Sequence, residues 1–416
     1  VSTLRKIQAG AIQYVLVISV IIMIVLFAFI SLVFLQNRLQ AKSELYKTAI
    51  QNTYTGFDYL AQKDIPYNKE ASIQFSDFEY EQTRIEKKHW GVFDLVIVSS
   101  QLKNEISTKV ALVGNSNADR KALSLQENNQ PLVVVGNTKI IGDVVLPKRG
   151  VKSGSIAGTS YYGEELIYGK VERNSITLPA IKNIEYLEQL VSDLPFENIK
   201  SFNLEEGIII NQSFSKETFI FETPLSLSLG NMSLSGNIVI KSNREIKVKA
   251  STKLNDVILI APKIVVESGF EGSFQAIASK EIDISENVKL SYPSSLVLIG
   301  KMPQNVNEKQ RIEINRGSDV KGIVLYQGDQ KNSNYDAQIK IYPKARVTGE
   351  IFCNKNLELG GKVEGFVFAN NFVTKQFGRT YVNHIYNAEI NSEVIPQQYA
   401  GLLLGNIKPT VAKWVD

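Results

Sequence analysis

The stretch Ala11 to Leu35, AIQYVLVISVIIMIVLFAFISLVFL, carries no charged side chain, and its only strongly polar group is the amide of Gln13. As a helix rising about 1.5 Å per residue, its 25 positions reach roughly 37 Å at that rise. The hydrocarbon core of a bilayer is ~30 Å thick, so such a helix spans it with some tilt. A soluble core helix of this length would show a polar face, and this one has none. A cleaved secretory signal has an apolar region of about 7–15 residues followed by a small-residue cleavage site. Here the run is longer and continues into Gln36-Asn37-Arg38. The stretch is therefore expected to be a transmembrane anchor in contact with the lipid bilayer.

The rest of the composition narrows the chemistry. A single cysteine, Cys353, among 416 residues leaves no intramolecular disulfide and no cysteine-based metal site. His89 and His384 are the only histidines, which leaves little room for imidazole-dependent metal or acid–base chemistry. No cofactor and no metal are expected. The net charge of +4 is mild, and no lysine/arginine run marks a nucleic-acid surface. Neither nucleic acid nor a small-molecule substrate is evident. Arg5 and Lys6 precede the span, whereas Arg38, Lys42 and Lys47 follow it. That count leans toward a cytoplasmic C-terminal flank.

Residues 36–66 continue as an amphipathic stalk helix. Leu39, Tyr46, Ala49, Ile50, Thr53, Phe57 and Leu60 recur near a 3.6-residue period, which makes one apolar stripe. The stripe is expected either to pack on the following domain or to meet a partner helix. Together with Val15, Ile18 and Ile22 in the span, Leu39, Tyr46, Ile50 and Phe57 are the candidate membrane or partner-helix contacts. Asp64-Ile65-Pro66 ends the helix, because proline disfavours α conformation in its predecessor. Residues 67–130 then read as a small β-meander module. Its expected strands are 71–82 with a shift at Asp77, 90–98 and 109–113.

From residue 131 to 376 the chain is repetitive. Units beginning at Ile246, Ile264, Ile282, Ile312, Ile339 and Leu357 each run about 18–20 residues. Each is a short alternating strand, a turn, and a second apolar strand. Residues 227–245 and 132–150 fit the same frame. One such coil cannot bury its inward Ile, Val and Leu alone, whereas stacked coils bury them against one another. The fold class expected is mainly β: an N-terminal transmembrane and stalk helix, a small α/β module, then a parallel β-solenoid (β-helix). A β-sandwich with short strands is the alternative. Insertions are expected at 151–226, 302–311 and 330–338, and residues 377–416 are expected to cap the solenoid, with Trp414 as a packing residue. Tyr161, Tyr162 and Tyr168 in the first insertion are candidate partner contacts, since tyrosine supplies large rigid contact area.

With these features assembled, the N-terminal sixty residues resemble type IV pilin-like proteins, in particular minor pilins and pseudopilins of the PilX-like kind. The residues that carry the resemblance are Arg5-Lys6 and Gly10, the apolar run from Ala11, and the stalk. Residues 1–10 are accordingly read as a basic leader. The resemblance implies processing between Gly10 and Ala11, contacts with other pilin-like or secretion-apparatus subunits through the helix, and a head on the periplasmic side of the inner membrane. Where major pilins carry glutamate, the fifth position after Gly10 is Val15, which in that family fits a tip subunit. The repeats resemble bactofilin-type β-helices more loosely, implying a cytoplasmic scaffold instead. They also share a β-helix with pectin-lyase-like enzymes, whose sites need several carboxylates on one face. Asp256, Glu271 and Asp319 are the candidates, in no common register, and no catalytic residue is assigned.

Overall fold

The computed structural model describes residues 9–75, 80–116, 118, 120–195, 199–300, 310–328, 335–405 and 408–415. Most of the basic leader, the expected shift at Asp77, and most of the 302–311 and 330–338 excursions lie outside the described residues. Two compact units are present. One holds the chain to Tyr59, Glu70–Ile85 and Val98–Thr108; the other holds Leu60–Lys69, Glu86–Ile97 and the chain from Lys109.

In the first unit, helix α1 runs Ala9–Leu60, about 78 Å at the α-helical rise. From Gly10 to Glu44 every residue is exposed. Its most apolar 18-residue window has a mean hydropathy of 3.2 and is not buried at all. Burial begins at Ala49 and recurs at Asn52, Thr53, Gly56 and Phe57, one face of a 3.6-residue period. Gly56 lets the helix approach the sheet residues Val98 and Ile85, since a Cβ there would press on Val98. The Asn52 amide donates to the buried Glu81 carboxylate at 2.8 Å, and Phe75 N–H donates to the same oxygen at 3.0 Å.

The meander differs from expectation at one turn. The 90–98 segment is not one strand: Glu81–Trp90 and Phe93–Leu102 are separate, joined by Gly91-Val92. Gly91 sits at φ +62, a left-handed conformation that suits a two-residue hairpin. A second two-residue link, Lys103-Asn104, leads into Glu105–Ser116. Among the described residues, the expected 71–82 strand holds Glu70–Ile73, and another strand starts at Glu81.

The second unit contains a parallel β-solenoid. Ile246, Ile264, Ile282, Ile312, Ile339 and Leu357 are successive Cα partners in one ladder. Partners are parallel and one coil apart, so the closed hydrogen-bond network is a stack of coils and not a sandwich of antiparallel sheets. A second ladder is the longest among the described residues. It steps through Ile199–Ser201, Thr218–Thr223, Ile238–Ser242, Lys253–Val266, Glu271–Ile284, Lys289–Gly300, Asp319–Gly328, Arg346–Leu359 and Lys362–Gln376. It then continues through Leu123–Leu125, Val144–Leu146 and Val171–Arg173. These twelve rungs span about 50 Å at ~4.8 Å per step.

Two expectations are corrected here. Residues 151–226 are not a plain insertion: Val151–Ser153, Val171–Arg173, Ile199–Ser201, Ile209–Gln212 and Thr218–Thr223 are all parallel rungs. The first three of these strands are three residues long and largely polar, which hides the period in the sequence. Nor is 377–416 a simple cap. His384–Tyr386 and Glu389–Asn391 are rungs between the 362–376 coil and the 123–153 coils, while Pro409–Trp414 pairs antiparallel with residues 111–115 of the meander. Trp414 is 42% exposed, because its edge-strand position turns it outward.

Inside the coils lie Ile246, Ile264, Leu290, Val320, Leu357 and their equivalents. The long ladder is apolar on its outer face too, through Val239, Ile258, Ile277, Val297, Ile323, Phe352 and Phe368. That face is covered by Trp90, Phe93 and Leu112, by Leu187 and Leu190 of helix α2 (Ile184–Ser192), and by Tyr399 and Leu402. Burial on both faces explains the unbroken runs Val257–Ala261 and Leu296–Ile299. At one corner Gly322, Gly349 and Gly365 stack in register at φ +139 to +149, and a Cβ on any of them would strike the carbonyl of the rung before.

Candidate functional site

Three regions could carry function, beginning with the helix. Gly10 and Ala11 are exposed. Val15, Ile18, Ile22, Leu39 and Tyr46 are 67, 54, 53, 58 and 46% exposed, an uncovered apolar surface that water alone would not tolerate over this length. Ile50 is half-buried and Phe57 is buried. The contact assignment for Phe57 is therefore corrected: its side chain is buried and not on offer to a partner helix.

The tyrosines do not form one patch. Tyr161 donates its hydroxyl to the Glu165 carbonyl and so ties its own loop. Tyr168 bridges to Ile141, with Lys139 over its ring at 5.2 Å. Tyr162 alone of the three is largely exposed, at 64%.

Carboxylates on the solenoid alternate with cations along the rungs. Glu271 pairs with Lys289 at 2.7 Å, Asp319 with Arg346 at 3.6 Å and Asp256 with Lys413 at 2.6 Å. Another run reads Glu245, Lys263, Glu281, Arg311 at 3.4, 3.5 and 2.7 Å. Asp283 and Glu313 break this alternation, as like charges on adjacent rungs. Burial, and then Glu313 and Glu281, raise the Asp283 carboxyl above the usual range, against the Asn315 amide that donates to it at 2.8 Å. Among the described residues, no group of three or more His, Cys, Asp or Glu is placed to hold a metal ion.

The third region lies wholly in the second unit and escaped the sequence reading. A cavity of about 1020 Å³ opens between α2, the 86–97 hairpin and the first solenoid coils. Tyr67, His89 and Tyr186 stack along it, with ring centroids 3.7 and 4.6 Å apart. The buried Asp94 fixes this stack, accepting from the Tyr67 hydroxyl at 3.0 Å and pairing with His89 Nδ1 at 3.2 Å. Burial pushes the Tyr67 and Tyr186 hydroxyls well above the usual tyrosine range. Trp90 meets Phe214 edge to face at 5.1 Å beside them. The Asn183 amide donates to the Gly91 carbonyl at 3.1 Å, and the Asn237 amide to the Lys216 carbonyl at 2.9 Å. Both carboxamide oxygens are buried with no hydrogen-bond partner. A smaller cavity of about 440 Å³ shares Tyr67, His89 and Lys182. The signal that could have flagged the region is the concentration of aromatic and amide residues in 183–219, which reads as an irregular insertion without the fold.

These features define a class: a mainly β protein with one long uncovered apolar helix and a parallel β-solenoid. No protein-family model matches the sequence, and no curated protein does. Among solved structures, the chain is similar to the competence-associated pilin ComZ from Thermus thermophilus. That similarity is at 12% identity and a TM-score of 0.25, over 91% of this chain and 96% of that one. A TM-score of this size establishes no shared fold, and the functional reading rests on the chain's own features.

Proposed function

We propose that this chain is a pilin-like, membrane-anchored minor subunit of a pilus, secretion or DNA-uptake apparatus, acting by assembly and display and not by catalysis. The observation that carries the reading is α1: apolar, uncovered from Gly10 to Glu44, and buried on one face only from Ala49 onward. The exposed part is free for lipid and then for neighbouring helices, while the buried part fixes the helix to the β-sheet of its unit. Gly10, just before the apolar run, is where the resemblance puts peptidase cleavage, and Val15 fits a tip position. The head is then extracytoplasmic.

The test is the N-terminus of the protein extracted from membranes of cells with an active prepilin peptidase. Cleavage before Ala11 is expected. A mature chain that retains residues 1–10 would remove the processing step and, with it, the filament role. The charges Arg38, Lys42 and Lys47 favour a second reading, a cytoplasmic membrane-anchored scaffold of the bactofilin kind. Protease added to spheroplasts separates the two, since a digested head excludes the scaffold.

A further inference from the structure

We propose that the two ends of the coil stack are open strand edges which Arg173 and Lys200 keep from joining, so that the head is displayed as a single copy. Every residue concerned lies in the second unit. The long ladder ends at Val171–Arg173 on one side and at Ile199–Ser201 on the other. Among the described residues, the first pairs only with Val144–Leu146 and the second only with 218–220. An unpaired edge is a template for another strand. Because each rung is parallel to the one before, a second copy displaced along the axis offers its 199–201 edge to 171–173 in the same direction. The ladder would then run on from copy to copy, a head-to-tail contact that does not close on itself.

The core also loses cover at both ends. Val144 is 0% exposed, but its partner on the end rung, Val171, is 38% exposed. At the other end Leu234 is fully buried, whereas its partner Ile210 is only half-buried. Apolar surface beside a free edge favours association, and what opposes it here is charge. Residues in register along a parallel ladder share one face of the sheet. Arg173 is in register with the core residue Leu146. Lys200 is in register with Phe219, whose next partner Ile238 is again in the core. Each end rung thus sets a cation in a column that is apolar one or two coils further in. Both cations are exposed, with the Lys200 Nζ 5.6 Å from the centre of the Phe219 ring. Joining two copies would strip water from Arg173 and Lys200 against apolar columns, which is costly for a charge.

The test compares the full-length protein in detergent with its Arg173→Leu/Lys200→Ile variant by sedimentation velocity over a concentration series, with circular dichroism to follow the fold. The variant is expected to form a series of larger species at a concentration at least about tenfold below any at which the parent does. Adding Ile210→Lys, which puts a cation back into an inward column at one end, should return the parent pattern. Arg173→Gln/Lys200→Gln removes both charges and keeps the side chains polar, so it gives the same reading if the apolar pair misfolds. A folded, uncharged variant that sediments like the parent overturns the proposal, because the cations would then hold nothing apart. Association that survives Ile210→Lys overturns it too, since the contact would not run through the ends. So does a parent that already forms the series. None of these outcomes bears on cleavage at Gly10, so the two proposals fail separately.

Discussion

Gln275 holds the turn at Gly91 from beneath. Its amide donates to the Trp90 carbonyl at 3.0 Å, and its carbonyl oxygen accepts from Val92 N–H at 2.9 Å. A side chain on Gly91 would press directly on that amide, and the residue's φ of +62 is itself unfavourable for any other L-residue. Gly91→Ala is expected to destabilise the protein by at least about 2 kcal/mol, read as a lowered denaturant midpoint. Gln275→Ala should loosen the hairpin without straining its backbone, so the midpoint falls less while proteolysis at 90–92 rises.

Arg120 and Glu350 form a buried ion pair. Arg120 also donates to the Leu402 carbonyl at 2.6 Å, and Leu402 N–H donates to Glu350 at 2.7 Å. Removing one member leaves the other charged and buried, which costs about 3–5 kcal/mol. Arg120→Met should show that loss in equilibrium unfolding. Adding Glu350→Gln keeps an acceptor for Leu402 and removes the stranded charge, so the double variant should recover roughly half of it or more. Equal losses in the single and double variants would contradict the pairing.

Cys353 is fully buried in the coil interior, and burial pushes its thiol up to about 12. The thiolate is the reactive form, so native protein should resist iodoacetamide at neutral pH and react only after unfolding. Labelling at the native state as fast as in denaturant would mean that the coil around residue 353 opens freely.

Asp283 supplies a pH dependence with a definite sign. Its carboxyl is raised in the folded chain, so the folded state holds the proton more tightly than the unfolded state. The stability it contributes is complete below the ordinary aspartate value and is lost as pH rises through the raised folded value. Asp283→Asn keeps an acceptor for the Asn315 amide and cannot ionise. The variant should therefore melt higher than the parent at neutral pH, with the difference vanishing in acid. A difference that grows in acid would reverse the assignment.

The solenoid was legible because its period is enforced by packing. Each inward Ile, Val or Leu must meet its counterpart one coil away, and Ile246, Ile264 and Ile282 recur at that spacing in the chain as they do in the ladder. The doubly apolar runs near 257 and 296 reflect burial on both faces, a signal the sequence reading did not use. The Gly91 turn was missed because Trp90 and Phe93 are apolar on both sides of it, so hydrophobicity runs straight through the hairpin. The cavity was missed for another reason. Tyr67, His89, Asn183 and Asn237 lie far apart in the chain, and no local pattern brings them together. The same limit hid the junction between Val367–Ala369 and Leu123–Leu125.

That junction has a consequence for how the head is made. The coils at 123–173 lie beyond the 362–376 coil, although a ribosome delivers them some two hundred residues sooner. Emerging first, they have only one another to pair with until nearly the whole chain is out. Closing so distant a contact is slow. A head exported through a membrane would then thread across as an unfinished chain and clasp shut only on the far side, with its beginning and its end in one another's grip.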